Sequence, residues 1–269
     1  MIALALETAS RLVGVAVGEI EGGKSSVWAE FKDLRGRRHV EALMPAVQFV
    51  LDETGMELAD IGVIAVDIGP GLFAGLRVGI STAKALAMAL GVPIVAVPSL
   101  DVLAGSVASE LPAPPAPPAP PAPPAPPAGP PAPPAGPPAP PAGGSIVAVL
   151  DARRGEVFWS CYRLKKDYGI ERVVDHRATP PEVLADWLAA NEGDHVLIGD
   201  GAQAYANHFD IAGVVVCKGD EHAWPTASAL LHRAGVEGAY PLHGRPDTVE
   251  PIYLRHAEAR INWEQRQHP

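Results

Sequence analysis

The stretch that decides the fold is Asp67-Ile-Gly-Pro-Gly-Leu-Phe-Ala-Gly-Leu-Arg-Val-Gly79. An apolar run typical of a buried strand, Ile61–Val66, leads into it, and the apolar periodicity that follows predicts a helix over Leu76–Leu90. Between them, Gly69, Pro70 and Gly71 form a turn of the kind that glycine tolerates best. A strand, a glycine turn and a helix in this order are typical of an α/β protein.

The glycine turn admits two interpretations. The free N–H groups at the start of the helix face it, so it can hold a phosphate or another anion. It can equally be a structural turn, because it matches neither the Walker loop nor the GxGxxG dinucleotide fingerprint. The residues on which its shape depends are Gly69, Pro70, Gly71, Phe73, Gly75 and Gly79.

The helix after the turn carries apolar residues around its whole circumference, interrupted only by Arg77, Ser81, Thr82 and Lys84. A helix of this composition must be covered on more than one side. It therefore lies inside a large core, or its second face meets another chain. Gly79 and the alanines would allow a second helix to approach closely.

The rest of the chain forms two similar halves of strands and helices. Three short strands joined by tight turns are expected over Ile2–Leu6, Leu12–Val17 and Val27–Phe31, followed by a helix over Val40–Leu51. The same opening returns in abbreviated form after Gly144, which indicates an internal duplication. The further predicted strands are Ile94–Val97, Ile146–Leu150, Val157–Tyr162, Val196–Ile198 and Val214–Cys217, and the further helices are Pro181–Ala190 and Ala227–Ala234.

A low-complexity run of Pro-Pro-Ala units, Leu111–Gly144, separates the two halves and holds 19 of the 30 prolines. Proline has a fixed φ and no N–H, so the run can join neither a helix nor a sheet interior. We expect polyproline II there. It can serve as a ligand for a proline-recognising module, or it can be a loop expansion that the fold tolerates.

Charge and cysteine content narrow the function. A net charge of −10 argues against a free-standing nucleic-acid binder, which would carry a basic surface. The two cysteines, Cys161 and Cys217, form neither a CxxC motif nor a disulfide framework, which fits a reducing cytoplasm. Glu7 and Arg11 interrupt the apolar N-terminus, so we expect no signal peptide. We also expect no membrane span, since no uncharged apolar run reaches the required length.

Several motifs together carry a family resemblance. They are Leu4-Ala-Leu-Glu-Thr-Ala-Ser10, Arg38-His39, Leu43-Met-Pro45, Gly69–Gly79, Gly91-Val-Pro93, Ser99-Leu100, Asp151-Ala-Arg-Arg-Gly-Glu-Val-Phe-Trp159, Gly199-Asp-Gly201, Tyr205 and Pro251-Ile-Tyr-Leu-Arg255. On these residues the chain resembles the TsaB (YeaZ) proteins of the TsaD/TsaB family, which take part in making N6-threonylcarbamoyladenosine in tRNA. Only the proline-rich run has no counterpart.

The resemblance implies an α/β fold of the actin/Hsp70/sugar-kinase (ASKHA, ribonuclease H-like) kind, with two related lobes of mixed sheet flanked by helices. We expect a first lobe over residues 1–105, the proline-rich insert over 106–144 and a smaller second lobe over 145–250. Residues 251–269 are expected to form a C-terminal helix that returns to the first lobe.

The resemblance also implies partners. It implies a heterodimer with a catalytic TsaD-like subunit, cooperation with a TsaE-like ATPase, contact with tRNA only through the complex, and a homodimer as a possible state of the chain alone. The interface would be built by the two helices of the first lobe. The residues expected to face the partner are His39, Leu43, Met44, Val47, Arg77, Ile80 and Lys84.

The chain itself lacks the metal motif of a catalytic member. That member carries two histidines four residues apart on a helix, whereas the matching stretch here, Ser99–Gly105, holds no histidine. We therefore predict no metal, no cofactor and no catalytic residue.

A nucleotide cleft is the remaining alternative. The residues that would line a vestigial cleft are Glu7, Thr8, Ser10, Asp151, Gly199 and Gly201. An active cleft would make the chain a small-molecule kinase or ATPase that acts alone.

Overall fold

The computed structural model describes residues 1–35, 39–108, 144–165, 169–191, 193–236, 240–243 and 245–255. Almost all of the predicted polyproline II insert lies outside these residues. Of the predicted C-terminal helix, residues 256–269 lie outside them as well. Residues 251–255 are described and form no helix.

The first sheet contains β1 (Ile2–Glu7), β2 (Val13–Glu21), β3 (Lys24–Asp33), β4 (Val63–Asp67), β5 (Ile94–Val97) and β11 (Leu242–His243), in the order β11-β5-β4-β1-β2-β3. The first three strands form the predicted antiparallel meander, while β4 runs parallel to β1 and β5 parallel to β4. Every residue of β4 is buried, because helices cover the sheet on both faces.

Three helices cover the first sheet: α1 (His39–Thr54), α2 (Phe73–Leu90) and α6 (Ala227–Ala234). Side chains alternate along β1, so that Leu4 and Leu6 face the core under α1 and α2. Ala3 and Ala5 face the opposite core, under α6. The small alanines let this third helix approach the sheet closely.

The second sheet contains β6 (Ser145–Arg153), β7 (Glu156–Leu164), β8 (Ile170–Thr179), β9 (His195–Ile198) and β10 (Val214–Val216), in the order β10-β9-β6-β7-β8. It repeats the meander of the first sheet, with β9 parallel to β6. On one face lie α4 (Pro181–Ala190) and α5 (Asp200–Ala204), and on the other lies α3 (Ser99–Ala108).

Two helices cross between the lobes. Helix α3 follows β5 of the first sheet but packs with Leu100 and Leu103 on the second sheet. Helix α6 follows the second sheet but packs with Leu230 on the first. The predicted division placed α6 and β11 with the second lobe, whereas they lie against the first sheet. It placed residues 99–105 with the first lobe, and Val102 of α3 does lie in the core of that lobe. Apolar periodicity indicates that a helix has a buried face, but it does not tell which sheet covers that face.

The helices α4 and α6 have the predicted bounds, and α2 begins at Phe73, before the predicted start at Leu76. The strand β8 and the helix α3 were not predicted as elements. Strand β8 is an edge strand with mostly exposed or half-buried residues, so it lacks the apolar alternation that identifies a strand.

Helix α2 is long and apolar enough to cross a membrane by length and composition, although Arg77 and Lys84 interrupt its apolar run. Its buried residues Leu76, Ile80, Ala83 and Ala87 pack on the first sheet. This packing accounts for its high mean hydropathy, as in the core helix of a globular domain.

The glycines of α2 allow close approach within the chain. A Cβ on Gly75 would lie 2.0 Å from the carbonyl oxygen of Thr8, and a Cβ on Gly79 would lie 2.2 Å from Thr8 Oγ1. Thr8 Oγ1 also donates a hydrogen bond to the carbonyl oxygen of Gly75 (2.8 Å). The two glycines therefore seat α2 against the turn between β1 and β2.

We expect Gly75→Ala to lower the free energy of unfolding by about 3 kcal/mol, the upper end of the cost of overpacking, because the obstacle is backbone. Ser81→Ala, at an exposed position of the same helix, should change it by less than about 0.5 kcal/mol. Urea unfolding of both variants measures the difference. Equal midpoints would contradict the close contact.

Candidate functional site

A cavity of about 450 Å³ lies where the two lobes meet. The first lobe contributes the turn after β1 (Ala9–Arg11) and the turn before α2 (Gly71–Phe73). The second lobe and the C-terminal segment contribute the rest of the wall, which is Leu150–Arg153, Phe158, Asp200, Trp224 and Ile252–Arg255. Most of these side chains are apolar or aromatic.

The polar groups around the cavity bind one another. Asp200 Oδ1 accepts the backbone N–H of Asp151 (2.9 Å), and Asp200 Oδ2 accepts Trp224 Nε1 (3.1 Å). Burial raises the pKa of Asp200. Asp151 in turn pairs with Arg153 Nη1 (3.1 Å).

The arginines at the cavity have partners too. Arg255 donates to the carbonyl oxygen of Ala152 (2.8 Å) and pairs with Glu156 (2.7 Å). The guanidinium of Arg11 lies over the ring of Trp224, 5.5 Å from its centroid. These contacts are already made without a ligand, so the cavity offers a mainly apolar surface.

The predicted nucleotide residues divide into two groups. Ser10 and Asp151 line the cavity, whereas Glu7 and Thr8 are fully buried behind it. Gly199 and Gly201 do not line it either. A Cβ on Gly199 would lie 2.0 Å from the carbonyl oxygen of Val149, so this glycine serves the packing of α5 against β6. The structure thus brings two of the six residues to this cavity, and a nucleotide role for the set stays a prediction.

The glycine turn before α2 is filled by the protein itself. A Cβ on Gly71 would lie 2.1 Å from the carbonyl oxygen of Ala9, and the backbone N–H of Leu72 donates to that same oxygen (2.6 Å). Gly69 and Pro70 are buried. The geometry therefore favours the structural interpretation of the turn over the phosphate cradle.

A buried carboxyl pair lies beneath this turn. Glu7 and Asp67 end the neighbouring parallel strands β1 and β4, and neither is exposed. Asp67 Oδ1 accepts the backbone N–H of Gly69 (2.7 Å) and the hydroxyl of Ser99 (2.5 Å), while Glu7 Oε1 accepts the backbone N–H of Ala9 (2.9 Å). Burial raises the pKa of both carboxyls, and the charge of Asp67 raises the pKa of Glu7 further.

Core residues occupy the stretch where a catalytic relative would carry its histidine pair. Ser99 is fully buried against Asp67, and Leu100 and Leu103 are fully buried against the second sheet. Among the residues that the structure describes, no group of three or more histidine, cysteine, aspartate or glutamate side chains is placed to hold a metal.

The residues predicted to face a partner also divide. Leu43, Val47 and Ile80 are in the core of the first lobe, so the prediction is wrong for them. His39 is buried too, and its Nε2 donates to the carbonyl oxygen of Ser10 (2.9 Å). Met44 and Arg77 are exposed, and Lys84 is half-buried with its Nζ donating to the carbonyl oxygen of Asp247 (3.2 Å).

Most of the exposed apolar side chains of the two helices are not among the residues predicted to face a partner. Val40 is 76% exposed, Met88 69%, Met44 46% and Phe73 44%. We call Val40, Met44, Phe73, Arg77 and Met88 the α1–α2 face. Apolar residues that repeat every three or four positions along a helix form the side that packs on the core. The α1–α2 face could have been predicted from the apolar residues of α1 and α2 that fall outside this repeat.

The α1–α2 face has a groove at one end. A depression of about 470 Å³ opens where both helices begin, between Val40 and Glu41 on one side and Phe73 and Val78 on the other. The ring of Phe73 lies between the guanidinium of Arg77 (3.9 Å) and the ring of Tyr253 (5.1 Å). The aromatic ring of Phe73 thus forms one wall of the groove, and it is held by contacts with other residues.

The chain is similar to known proteins over nearly its whole length. A family model for TsaD, tRNA N6-adenosine threonylcarbamoyltransferase, matches residues 33–122. The tRNA threonylcarbamoyladenosine biosynthesis protein TsaB of Bacillus subtilis is 29% identical over 269 residues, 98% of each chain. An uncharacterised protein of Mycobacterium tuberculosis is 30% identical over 257 residues, 96% of this chain and 93% of that protein. The solved structure of YeaZ from Pseudomonas aeruginosa superposes with a TM-score of 0.69 at 27% identity, covering 94% of this chain and 99% of that one.

The buried carboxyl pair predicts a pH dependence of stability. Folded Glu7 keeps its proton to a higher pH than the unfolded chain does, so its contribution is complete below the ordinary pKa of 4.5 and is lost as pH rises through the raised value. Relative to Glu7→Gln, the free energy of unfolding of the wild type should therefore fall as the pH rises from 4.5 into the neutral range. Urea unfolding across that range measures it. Ser81→Ala, which changes no titratable group at an exposed position of α2, should differ from the wild type by a constant, and a constant offset for Glu7→Gln would contradict the prediction.

Proposed function

The chain belongs to the TsaB (YeaZ) family, and from that premise we propose that it is a non-catalytic subunit which supports a TsaD-like transferase in making N6-threonylcarbamoyladenosine in tRNA. The observation that carries this proposal is the α1–α2 face, where Val40 and Met88 remain 76% and 69% exposed on helices whose other sides are buried. An exposed apolar surface of this kind is typical of a protein interface. The match of the TsaD model to residues 33–122 covers the same two helices.

The proposed role is to support the transferase by binding it, without catalysing the transfer. Leu103 and Ser99 are buried where the resemblance would require metal ligands, and the groups around the interlobe cavity satisfy one another. We propose that the transfer of the threonylcarbamoyl group takes place on the TsaD-like partner, with a TsaE-like ATPase as a further component.

Contact with tRNA would come through the complex. The net charge of −10 gives this chain little attraction for phosphates by itself. We place the protein in the cytoplasm, where a tRNA-modifying complex would work.

Reconstitution with the TsaD-like protein, a threonylcarbamoyl donor and tRNA tests the function. We expect modified adenosine, measured by mass spectrometry of the nucleosides, only when this chain is present. The double variant Ser10→Ala, Asp151→Asn should leave the rate unchanged, because these cavity residues are proposed to take no part in chemistry. Equal modification without the chain would contradict the proposal, and a large loss in the double variant would assign the cavity to catalysis.

The α1–α2 face predicts which substitutions break the complex. Met44→Asp and Met88→Asp each place a charge where the partner would bury apolar surface, so each should weaken binding by at least about 30-fold. Isothermal titration calorimetry with the TsaD-like protein measures it. The matched control is Val183→Asp, because Val183 is 47% exposed on α4 of the second lobe.

Unchanged affinity in both methionine variants, or an equal loss in Val183→Asp, would contradict the assignment of the face. The same face can instead join two copies of the chain. The molar mass of the isolated protein in solution, measured for the wild type and for Met88→Asp, identifies that state.

A further inference from the structure

A buried aspartate joins the two lobes. Asp101 lies on α3 and is 4% exposed. Its Oδ1 accepts the hydroxyl of Tyr162 (2.7 Å) and Nε of Arg172 (3.2 Å). Its Oδ2 accepts Nη2 of Arg172 (2.6 Å) and the hydroxyl of Tyr240 (2.9 Å). One carboxylate thus receives four hydrogen bonds, so both of its oxygens have partners in the interior.

The donors come from both lobes. Tyr162 lies on β7 and Arg172 on β8, both in the second sheet. Tyr240 precedes β11, which pairs with β5 in the first sheet. The Tyr240 hydroxyl therefore adds a connection from Asp101 to the first lobe, beside that of Ser99 on the same helix, which donates to Asp67.

Arg233, on the other helix that crosses between the lobes, binds the side chain of Tyr240. It lies on α6, which packs on the first sheet, and its Nη2 donates to the hydroxyl of Tyr240 (3.1 Å). Its guanidinium also lies 5.5 Å from the centroid of the Tyr240 ring. A Cβ on Gly105 of α3 would lie 2.2 Å from Arg233 Cδ. Because Gly105 has no side chain, the side chain of Arg233 can pack directly against α3.

We propose that Asp101, Tyr162, Arg172, Arg233 and Tyr240 form an interlobe lock that holds the two lobes in one relative orientation. A hinge or shear motion of the lobes would separate Tyr240 from Asp101 in a buried place, where an unpaired charge and an unpaired hydroxyl are costly. Two-lobed proteins that close around ligands move by such motions, and the lock opposes them.

The protonation states suit a permanent lock. Burial and the charge of Asp101 raise the pKa of both Tyr162 and Tyr240, so both phenols remain donors at neutral pH. His176 lies 3.8 Å from Asp101 Oδ1, and burial followed by the charge of Arg172 lowers its pKa to about 4. It is therefore neutral under physiological conditions and does not compete for Asp101.

Distance measurement between spin labels tests the lock in the full-length protein. Ala89 on α2 and Asp186 on α4 are exposed positions in different lobes, and Ser26 on β3 is an exposed position in the same lobe as Ala89. The label pairs are made as Ala89→Cys with Asp186→Cys, and Ala89→Cys with Ser26→Cys. Cys217 is replaced by serine, and the buried Cys161 is retained.

We expect the Ala89–Asp186 pair to give a single narrow distance distribution in the wild type. Asp101→Asn and Tyr240→Phe, which keep the size of each side chain, should broaden or split that distribution. The Ala89–Ser26 distribution should stay unchanged, which shows that the lobe itself remains folded. If Asp101→Asn does not fold, the milder Tyr240→Phe carries the test.

A control variant separates a lock from simple stabilisation. Ser160→Ala removes a buried hydrogen bond within the second sheet, from Ser160 Oγ to the carbonyl oxygen of Val174 (2.5 Å). It should lower the melting temperature without changing the interlobe distances. An unchanged Ala89–Asp186 distribution in the folded lock variants, even with a lowered melting temperature, would overturn the proposal.

Discussion

In the part of the chain that the structure describes, each of the two sheets has an apolar face covered by a helix that arrives from the other half. Helix α3 leaves the first sheet and buries Leu100 and Leu103 on the second, while α6 leaves the second sheet and buries Leu230 on the first. Neither lobe can therefore complete its core alone, since apolar surface left in water costs about 25 cal/mol per Å². The exchange of helices places the two lobes side by side, and the cavity and the Asp101 network between them follow from it.

How far the sequence predicts this arrangement depends on which physical signal each element carries. The strand, glycine turn and helix around Asp67–Gly79 were predicted correctly, because apolar periodicity and turn residues are local. The packing of α6 on the first sheet was not predicted, because contacts between residues distant in sequence decide which sheet covers a helix. The same limit applies to Leu43 and Ile80. Their apolar character was clear from the sequence, but only the packed structure shows that they belong to the core and that Val40 and Met88 do not.

The candidate site repeats this lesson for polar residues. Glu7 and Thr8 were expected beside a nucleotide because acidic and hydroxyl groups bind metals and phosphates. In the structure Glu7 is fully buried, as is Asp67, and Thr8 donates a hydrogen bond to the carbonyl oxygen of Gly75 near the start of α2. Ser10 and Asp151 do reach the cavity, but Asp151 is already paired with Arg153. The sequence shows which residue types are present, whereas the direction of each side chain depends on packing.

The edge strands of the two sheets determine whether two molecules can pair through their strands and aggregate. The edge strands β11 and β10 have only two and three residues. The two long edge strands carry charged residues, which are Lys24, Glu30, Lys32 and Asp33 on β3 and Glu171, Arg172, Asp175 and Arg177 on β8. Short or charged edges resist the strand-to-strand pairing that leads to aggregation. The polar pattern that hid β8 from sequence reasoning is thus a protection against fibre-like assembly. With such edges, contact between two molecules is directed away from the strands and toward the helical surfaces.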